Sequence, residues 1–376
     1  MTRTIADLRV AIDALDKQLL HTLNQRAALA NEVGDIKRKE GSQIFRPERE
    51  AQVIQKMQSA NGGPLKDTNI ANIWREIMSA CRALEAPQRV AYLGPAGTFS
   101  EQAAEAFFGV SIEHVPCSSF DDVFQAVASG RAAFGVVPME NSTEGVVARS
   151  LDLFLASPLH IIGETSLLVR HNLLRLQADL DGIEAVYAHP QALAQCQNWL
   201  TTHLPQAERH AASSNAEGAR LAATNPRWAA IASLRAGSQF GLHVAAPAIQ
   251  DDAYNRTRFA VMCLPQTLAM PEASGNDCTS LVVSVVNRPG AVYELIEPIK
   301  RHGVSMTRFE SRPARSGQPW EYFFYIDLQG HISQPQIQAT LTDLRPICAF
   351  YKVLGSYAIN GSQAKRQTHH VQPFAA

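Results

Sequence analysis

The chain has 376 residues, 46% of them hydrophobic and 18% charged, with a formal net charge of −1. Two or three globular domains with real cores are expected, and the charge balance excludes the basic footprint of a nucleic-acid or acidic-membrane binder. The opening Met-Thr-Arg-Thr-Ile-Ala-Asp lacks the apolar core of a signal peptide, no run of eighteen apolar residues follows, and Cys81, Cys117, Cys196, Cys263, Cys278 and Cys348 form no Cys-x-x-Cys pair. A cytoplasmic protein with reduced cysteines is predicted, without a metal site, a cofactor or a disulfide framework.

Residues 4–40 contain no proline and only Gly34, and their apolar positions Ile5, Leu8, Ile12, Leu15, Leu19, Leu23, Val33 and Ile36 recur at helical spacing. One helix of roughly 50 Å is predicted, needing a partner to cover its stripe. A second helix follows Arg46-Pro47, and a third spans about Asp67 to Leu84 with Ile70, Ile73, Trp74, Ile77, Cys81 and Leu84 on one face. Three such helices suggest an intertwined dimer. Arg26 and Lys37 point within about 20° of each other beside the stripe. Arg9 lies about 25 Å away along the axis, so it joins the same site only from a second subunit.

Residues 1–86 resemble the all-helical chorismate mutase domain through Leu8-Arg9, Arg26, Val33-Gly34-Asp35-Ile36-Lys37 and Arg46-Pro-Glu-Arg49-Glu50. The resemblance implies that Arg26 and the partner subunit's Arg9 clamp the carboxylates of chorismate, and that Lys37 donates to the ether oxygen. Glu50, beside Arg49, would accept from the ring hydroxyl. The reaction is pericyclic and needs positioning and charge stabilisation, with no nucleophile. Glu85 stands where the family pattern has glutamine. A glutamate donates only when protonated, so mutase activity is expected to fall as pH rises. Cys81 and Arg46 replace a serine and an aspartate of the pattern.

After a short linker, strands are predicted at 89–94, 133–138, 161–169, 185–187 and 228–233. They alternate with helices, one opening at Ser100 as cap and another at Phe120 behind Ser118 or Ser119. The pattern is a doubly wound α/β region, whose ligands sit at the carboxyl ends of strands. Gly-Pro-Ala-Gly97-Thr98-Phe-Ser, Val-Pro-Met-Glu140-Asn141-Ser142-Thr143, Ala-His189-Pro-Gln, Ser213-Ser214-Asn and Asn255-Arg-Thr257-Arg258-Phe259 occur in order. Together they resemble prephenate dehydratase. That family implies two α/β lobes, as in periplasmic binding proteins, with the active site in the cleft between them. The Thr257 hydroxyl would act at the leaving oxygen, and Thr98, Asn141, Ser142, Thr143, Ser213, Ser214, Arg258 and Phe259 would bind prephenate. Gly97 and Gly145 read as turn residues, and Glu140 and His189 as supports.

A polar linker over 265–278 leads to a βαββαβ pattern over 279–358, a ferredoxin-like arrangement. Its Asn287-Arg-Pro-Gly290-Ala291-Val292 and Glu310-Ser311-Arg312-Pro313 resemble an ACT domain of the phenylalanine-binding kind. These residues would hold L-phenylalanine, the backbone N–H groups of Gly290 and Ala291 taking its carboxylate. A second Thr307-Arg308-Phe309 lies in this module and reads as structural. Residues 361–376 read as a frayed tail.

The resemblances imply a chain that turns chorismate into prephenate and then into phenylpyruvate, inhibited by L-phenylalanine and assembled as a homodimer or higher oligomer. Two alternatives stay open for the central region: a preference for arogenate, and a non-catalytic ligand-sensing module.

Overall fold

The computed structural model describes residues 3–43, 45–314 and 321–359, and the expected tail over 361–376, with His369 and His370, lies outside them. The chain divides into two units, Met1–Arg89 with Phe108–Glu113, and Val90–Phe107 with His114–Ala376.

In the first unit, α1 (Ile5–Glu40) is a single helix. A capping box opens it: Asp7 N–H donates to the Thr4 hydroxyl, and Thr4 N–H donates to the Asp7 carboxylate at 3.0 Å. Gly41, at φ 67°, closes it in the left-handed conformation that glycine adopts freely. α2 (Pro47–Ser59) and α3 (Asp67–Glu85) follow, and α3 packs on both. Phe45, Ile70, Met78, Cys81 and Phe108 are buried here. Gly34 is buried where α3 comes close, since a Cβ there would lie 2.7 Å from Glu85 Cγ. The stripe of Ile5, Leu8, Ile12, Leu15, Leu19, Val33 and Ile36 is exposed on the single chain, as are Ile73 and Leu84 of the apolar face expected on α3.

The second unit begins with β1 (Arg89–Leu93), α4 (Phe99–Phe108), β2 (Glu113–Cys117), α5 (Phe120–Ala128), β3 (Phe134–Asn141), β4 (Gly145–Val146), α6 (Ala148–Ala156) and β5 (His160–Leu168). A second lobe follows: β6 (Asn172–Arg175), β7 (Ala185–Ala188), α7 (Pro190–Gln195), α8 (Gln197–His203), β8 (Glu208–Ala211), α9 (Asn215–Ala222), β9 (Trp228–Ala232), α10 (Leu234–Gln239) and β10 (His243–Ala246). Its sheet runs β10-β6-β9-β7-β8. β11 (Arg256–Cys263) then returns to the first lobe and inserts antiparallel between β3 and β5. The chain therefore crosses between lobes twice, leaving a cleft. α4 starts at Phe99, and Glu101 N–H donates to the Thr98 hydroxyl at 3.4 Å. Thr98, two residues earlier than expected, is the cap, and Ser100 is buried in the first turn. The strands β2, β4, β6, β8 and β10 were not expected, although β7, of four residues, was.

The last module comprises β12 (Asp277–Ser284), α11 (Ala291–Arg301), β13 (Met306–Pro313), β14 (Tyr322–Gln329), α12 (Pro335–Leu344) and β15 (Phe350–Ala358). Its antiparallel sheet runs β13-β14-β12-β15, with Leu295 of α11 and Ile337 of α12 sharing a core with Leu281, Val283 and Ile326 of the sheet. β15 also lies parallel to β5, joined at Gly355 opposite Ile161, so one sheet spans this module and the first lobe. A Cβ at position 355 would collide with the Ile161 carbonyl oxygen, so glycine permits the junction. The six cysteines are unpaired, and no described helix is long and apolar enough to cross a membrane.

Candidate functional site

Between the two lobes lies a cleft of about 1020 Å³. Of the residues expected to bind or act on substrate there, Thr98, Asn141, Ser213, Ser214, Thr257 and Phe259 line it. Thr257 sits opposite Asn141 where β11 pairs with β3. The Asn141 amide has one orientation. Its Oδ1 accepts from the N–H groups of Thr143 (3.0 Å) and Glu144 (3.1 Å), so its Nδ2 donates to Thr257 Oγ1 at 2.9 Å and to Asn255 Oδ1 at 2.7 Å. The Thr257 oxygen is therefore already an acceptor.

The chain of bonds continues through residues that sequence reading did not assign. Asn255 Nδ2 donates to Gln195 Oε1 at 3.1 Å, and Gln195 Nε2 donates to the Glu144 carboxylate at 2.8 Å. Gln191 donates to the same carboxylate. His171 lies 2.8 Å from Gln195 Oε1 through Nε2, which must carry the hydrogen because that oxygen accepts. Burial holds the His171 imidazole below its ordinary pKa, with the bond to Gln195 opposing, and its Nδ1 has no hydrogen-bond partner among the described residues. Gln195 was legible in principle, one helical turn beyond Gln191 of the Ala-His-Pro-Gln run.

Three expected ligands face elsewhere. The Ser142 hydroxyl accepts from Arg256 N–H at 2.9 Å, and Thr143 donates to Asp252 at 3.3 Å, so both brace the loop against the start of β11. Arg258 points to the opposite face of β11 from Thr257, as strand alternation requires, and pairs with Glu164, Asp327 and Glu140. Ser214 lines the cleft but is also the cap of α9, accepting from Glu217 N–H at 3.0 Å. Gly97 N–H, a candidate anion donor of its turn, is taken by Glu101 at 2.7 Å. Among the described residues lining the cleft, none is lysine or arginine, and Glu144 is the one carboxylate. The starts of α4 and α9 open onto it instead, and helix N-termini favour anions.

In the helical unit, α1 and α3 bring four expected residues together. Arg26 Nη1 lies 3.0 Å from Cys81 Sγ, and Lys37 Nζ lies 3.7 Å from Glu85 Oε2. Glu50 pairs with Arg82, a residue the sequence reading passed over. Arg82 also donates to the Phe108 carbonyl and stacks over Phe45 at 4.8 Å. Burial raises the Glu50 carboxyl above its ordinary range, against Arg82 and Arg75. Arg46 turns to Glu48 at 2.8 Å, Arg49 is exposed, and Arg9 is exposed on the far turns of α1.

In the last module Gly290, at φ 84°, precedes α11, and Val292 is exposed beside it. Ala291 N–H bonds to the Arg288 carbonyl at 3.1 Å, so it is not free to take a carboxylate as expected. Arg312 pairs with Asp152 of α6 at 3.2 Å and is spent on that contact, while Glu310 and Ser311 lie just before it on β13.

Three family models match the chain in succession: chorismate mutase type II over residues 8–86, prephenate dehydratase over 90–267 and the ACT domain over 279–346. A bifunctional chorismate mutase/prephenate dehydratase of Neisseria gonorrhoeae is 46% identical over 364 residues, covering 95% of this chain and 99% of the relative. A solved prephenate dehydratase from Arthrobacter aurescens, in complex with L-Phe, has a TM-score of 0.66 and 34% identity over 72% of this chain and 89% of that one. A structure described as a novel type of quorum quenching acylase, GqqA, has a TM-score of 0.67 and 26% identity over 73% of this chain and all of that one.

Proposed function

The chain belongs to the family of bifunctional chorismate mutase/prephenate dehydratases, and from that premise we propose how its residues divide the two reactions. It is an isomerase, turning chorismate into prephenate, and a lyase, turning prephenate into phenylpyruvate, water and carbon dioxide. The segments we assign are 1–86 to the mutase, 89–265 to the dehydratase and 279–358 to the effector module.

In the dehydratase, the Thr257 hydroxyl donates to the departing ring hydroxyl. The observation that carries this reading is the Asn141 bond. Because Thr257 Oγ1 accepts from Asn141, its own hydrogen is left to point at substrate. Asn141 is thus a positioning group and not a carboxylate ligand. The two carboxylates of prephenate sit against the starts of α4 and α9 and the hydroxyls of Thr98 and Ser213, with Phe259 against the ring. Carbon dioxide leaves as the ring becomes aromatic, and a preorganised donor at the leaving oxygen lowers the remaining barrier by about 3–4 kcal/mol. Thr257→Ala tests this: dehydratase kcat should drop at least ~100-fold with mutase activity intact, and retained turnover would refute the assignment.

In the mutase, Arg26 and Arg9 of the partner subunit hold the carboxylates, and Lys37 and Glu85 flank the ether oxygen. Glu50, with Arg49, receives the ring hydroxyl. This needs a homodimer, and the uncovered apolar stripe of α1 supports one. L-phenylalanine is the effector, bound near Asn287, Gly290, Val292, Glu310 and Ser311. A cytoplasmic setting suits a biosynthetic chain with no membrane-crossing helix among its described residues.

One observation favours arogenate as a second substrate: Glu144 is a carboxylate at the cleft, and arogenate carries an ammonium where prephenate has a keto oxygen. The ratio of kcat/KM for the two substrates decides it. Glu144→Gln should lower that ratio for arogenate alone if the pairing exists.

A further inference from the structure

The two copies of Thr-Arg-Phe lie in different modules, yet both arginines reach one buried cluster. Arg258 Nη1 lies 2.9 Å from Asp327 and 3.1 Å from Glu164, and its Nη2 lies 3.3 Å from Glu140. Arg308 stands 3.9 Å from both Glu140 and Asp327. Asp327 also accepts from the Ser280 hydroxyl at 2.6 Å, and that hydroxyl meets Tyr357 Oη at 2.8 Å. Asp327, Arg308, Ser280 and Tyr357 belong to the last module, and Arg258, Glu140 and Glu164 to the first lobe.

The cluster backs directly onto the catalytic pair. On β3 and β11, adjacent residues face opposite sides of the sheet. Glu140 and Arg258 face the cluster, while Asn141 and Thr257 face the cleft. The ladder between these strands shifts register between Arg258 and Phe259, an irregularity that sets where the side chains aim. Any movement of Asp327 against Arg258 therefore reaches the backbone that holds the Asn141–Thr257 bond. At the other end, Arg308 lies two residues before Glu310 on β13. Among the described residues, the buried Nε and Nη2 of Arg308 and Nε of Arg258 have no hydrogen-bond partners, so the network is only partly satisfied.

We propose that Arg258 is a positioning residue for the dehydration, and that its cluster with Asp327 and Arg308 is the element through which effector occupancy is read at Thr257. This rests on the reading that L-phenylalanine binds the last module and that Thr257 acts on prephenate. Effector at Glu310 and Ser311 draws β13, Arg308 closes on Asp327, and the hold on Arg258 loosens. Two discrete pairings of one carboxylate supply the two states that such coupling requires.

The test uses the full chain carrying Asp327→Asn, which keeps the shape and removes the charge. Mutase activity, whose residues lie outside the cluster, reports folding. Dehydratase kcat should fall about tenfold while KM for prephenate stays within about twofold. L-Phenylalanine should bind within about threefold of the parent by calorimetry, yet half-inhibition should need at least ~10-fold more of it. Parental kcat with a parental inhibition curve overturns the proposal. An equal loss of kcat, effector binding and thermal stability also overturns it, as the signature of a brace. If Asp327→Asn does not fold, Ser280→Ala should move the inhibition curve the same way by about threefold, and an unmoved curve counts against the cluster. Should the parent itself ignore L-phenylalanine, the effector reading fails on its own. A drop in kcat alone would then still support the positioning role, and an unchanged kcat would refute it.

Discussion

Thr257 and Arg258 are neighbours in the chain and work on opposite faces of β11. The residue types in Asn-Arg-Thr-Arg-Phe announced a polar site, but a motif read as a string assigns both neighbours to one ligand. Strand alternation separates them, and it was available from the sequence once β11 was recognised as a strand. What the string could not disclose was the network behind Thr257, because Gln195, His171 and Glu144 arrive from elsewhere in the fold. Replacing Asn141 by aspartate removes the Nδ2 donor at constant size. Dehydratase kcat should fall ~10²-fold, and the melting temperature should fall as well because a buried carboxylate then faces Asn255 Oδ1, as read by steady-state kinetics beside thermal melting. His171 supplies a pH dependence. Its native pKa lies below the ordinary value through burial, so the unfolded chain takes up a proton first as pH falls below about 6.5. The stability it contributes is complete above that pH and declines below it, by up to ~1.4 kcal/mol per pH unit, until the native pKa is passed. His160, also lowered by burial, acts in the same sense. Denaturant midpoints from pH 7.5 to about 5.5 should fall, less steeply in His171→Asn.

At the scale of elements, α1 carries the plainest message in the sequence, and the structure makes it sharper. Thirty-six residues form one helix, with Gly34 buried and nearly every apolar side chain exposed on the single chain. Periodicity disclosed the helix because each turn repeats the signal. It disclosed the short strands of the second lobe poorly, because four residues carry too little pattern. In the proposed dimer, the partner that covers α1 would also bring its Arg9 to Lys37, and this is testable by complementation. Arg9→Ala and Lys37→Ala are each expected to abolish mutase activity. Mixing the two variants and allowing subunits to exchange should restore about a quarter of parental activity, because half of the dimers carry one intact site of two. No recovery after verified exchange would place Arg9 outside the site.

At the scale of the whole chain, the sheet is the feature that domain-by-domain reading missed. The effector module was legible as βαββαβ, but its pairing with β5 through Gly355 depends on a single glycine whose purpose appears only when Ile161 lies against it. Through that shared sheet, and through Arg312–Asp152 and the Lys352 ammonium donating to the Phe154 carbonyl at 2.7 Å, the module grips the lobe that carries Asn141. Feedback by an end product needs such a grip, since an effector alters catalysis only by binding one arrangement better than another. Two successive reactions run on one chain, the second, as proposed, through Thr257. The most direct measurement supplies chorismate to the purified parent and to Thr257→Ala and follows prephenate and phenylpyruvate over time. The parent should form prephenate transiently and then phenylpyruvate, while the variant stops at prephenate. Phenylpyruvate formed by the variant at the parental rate would contradict it.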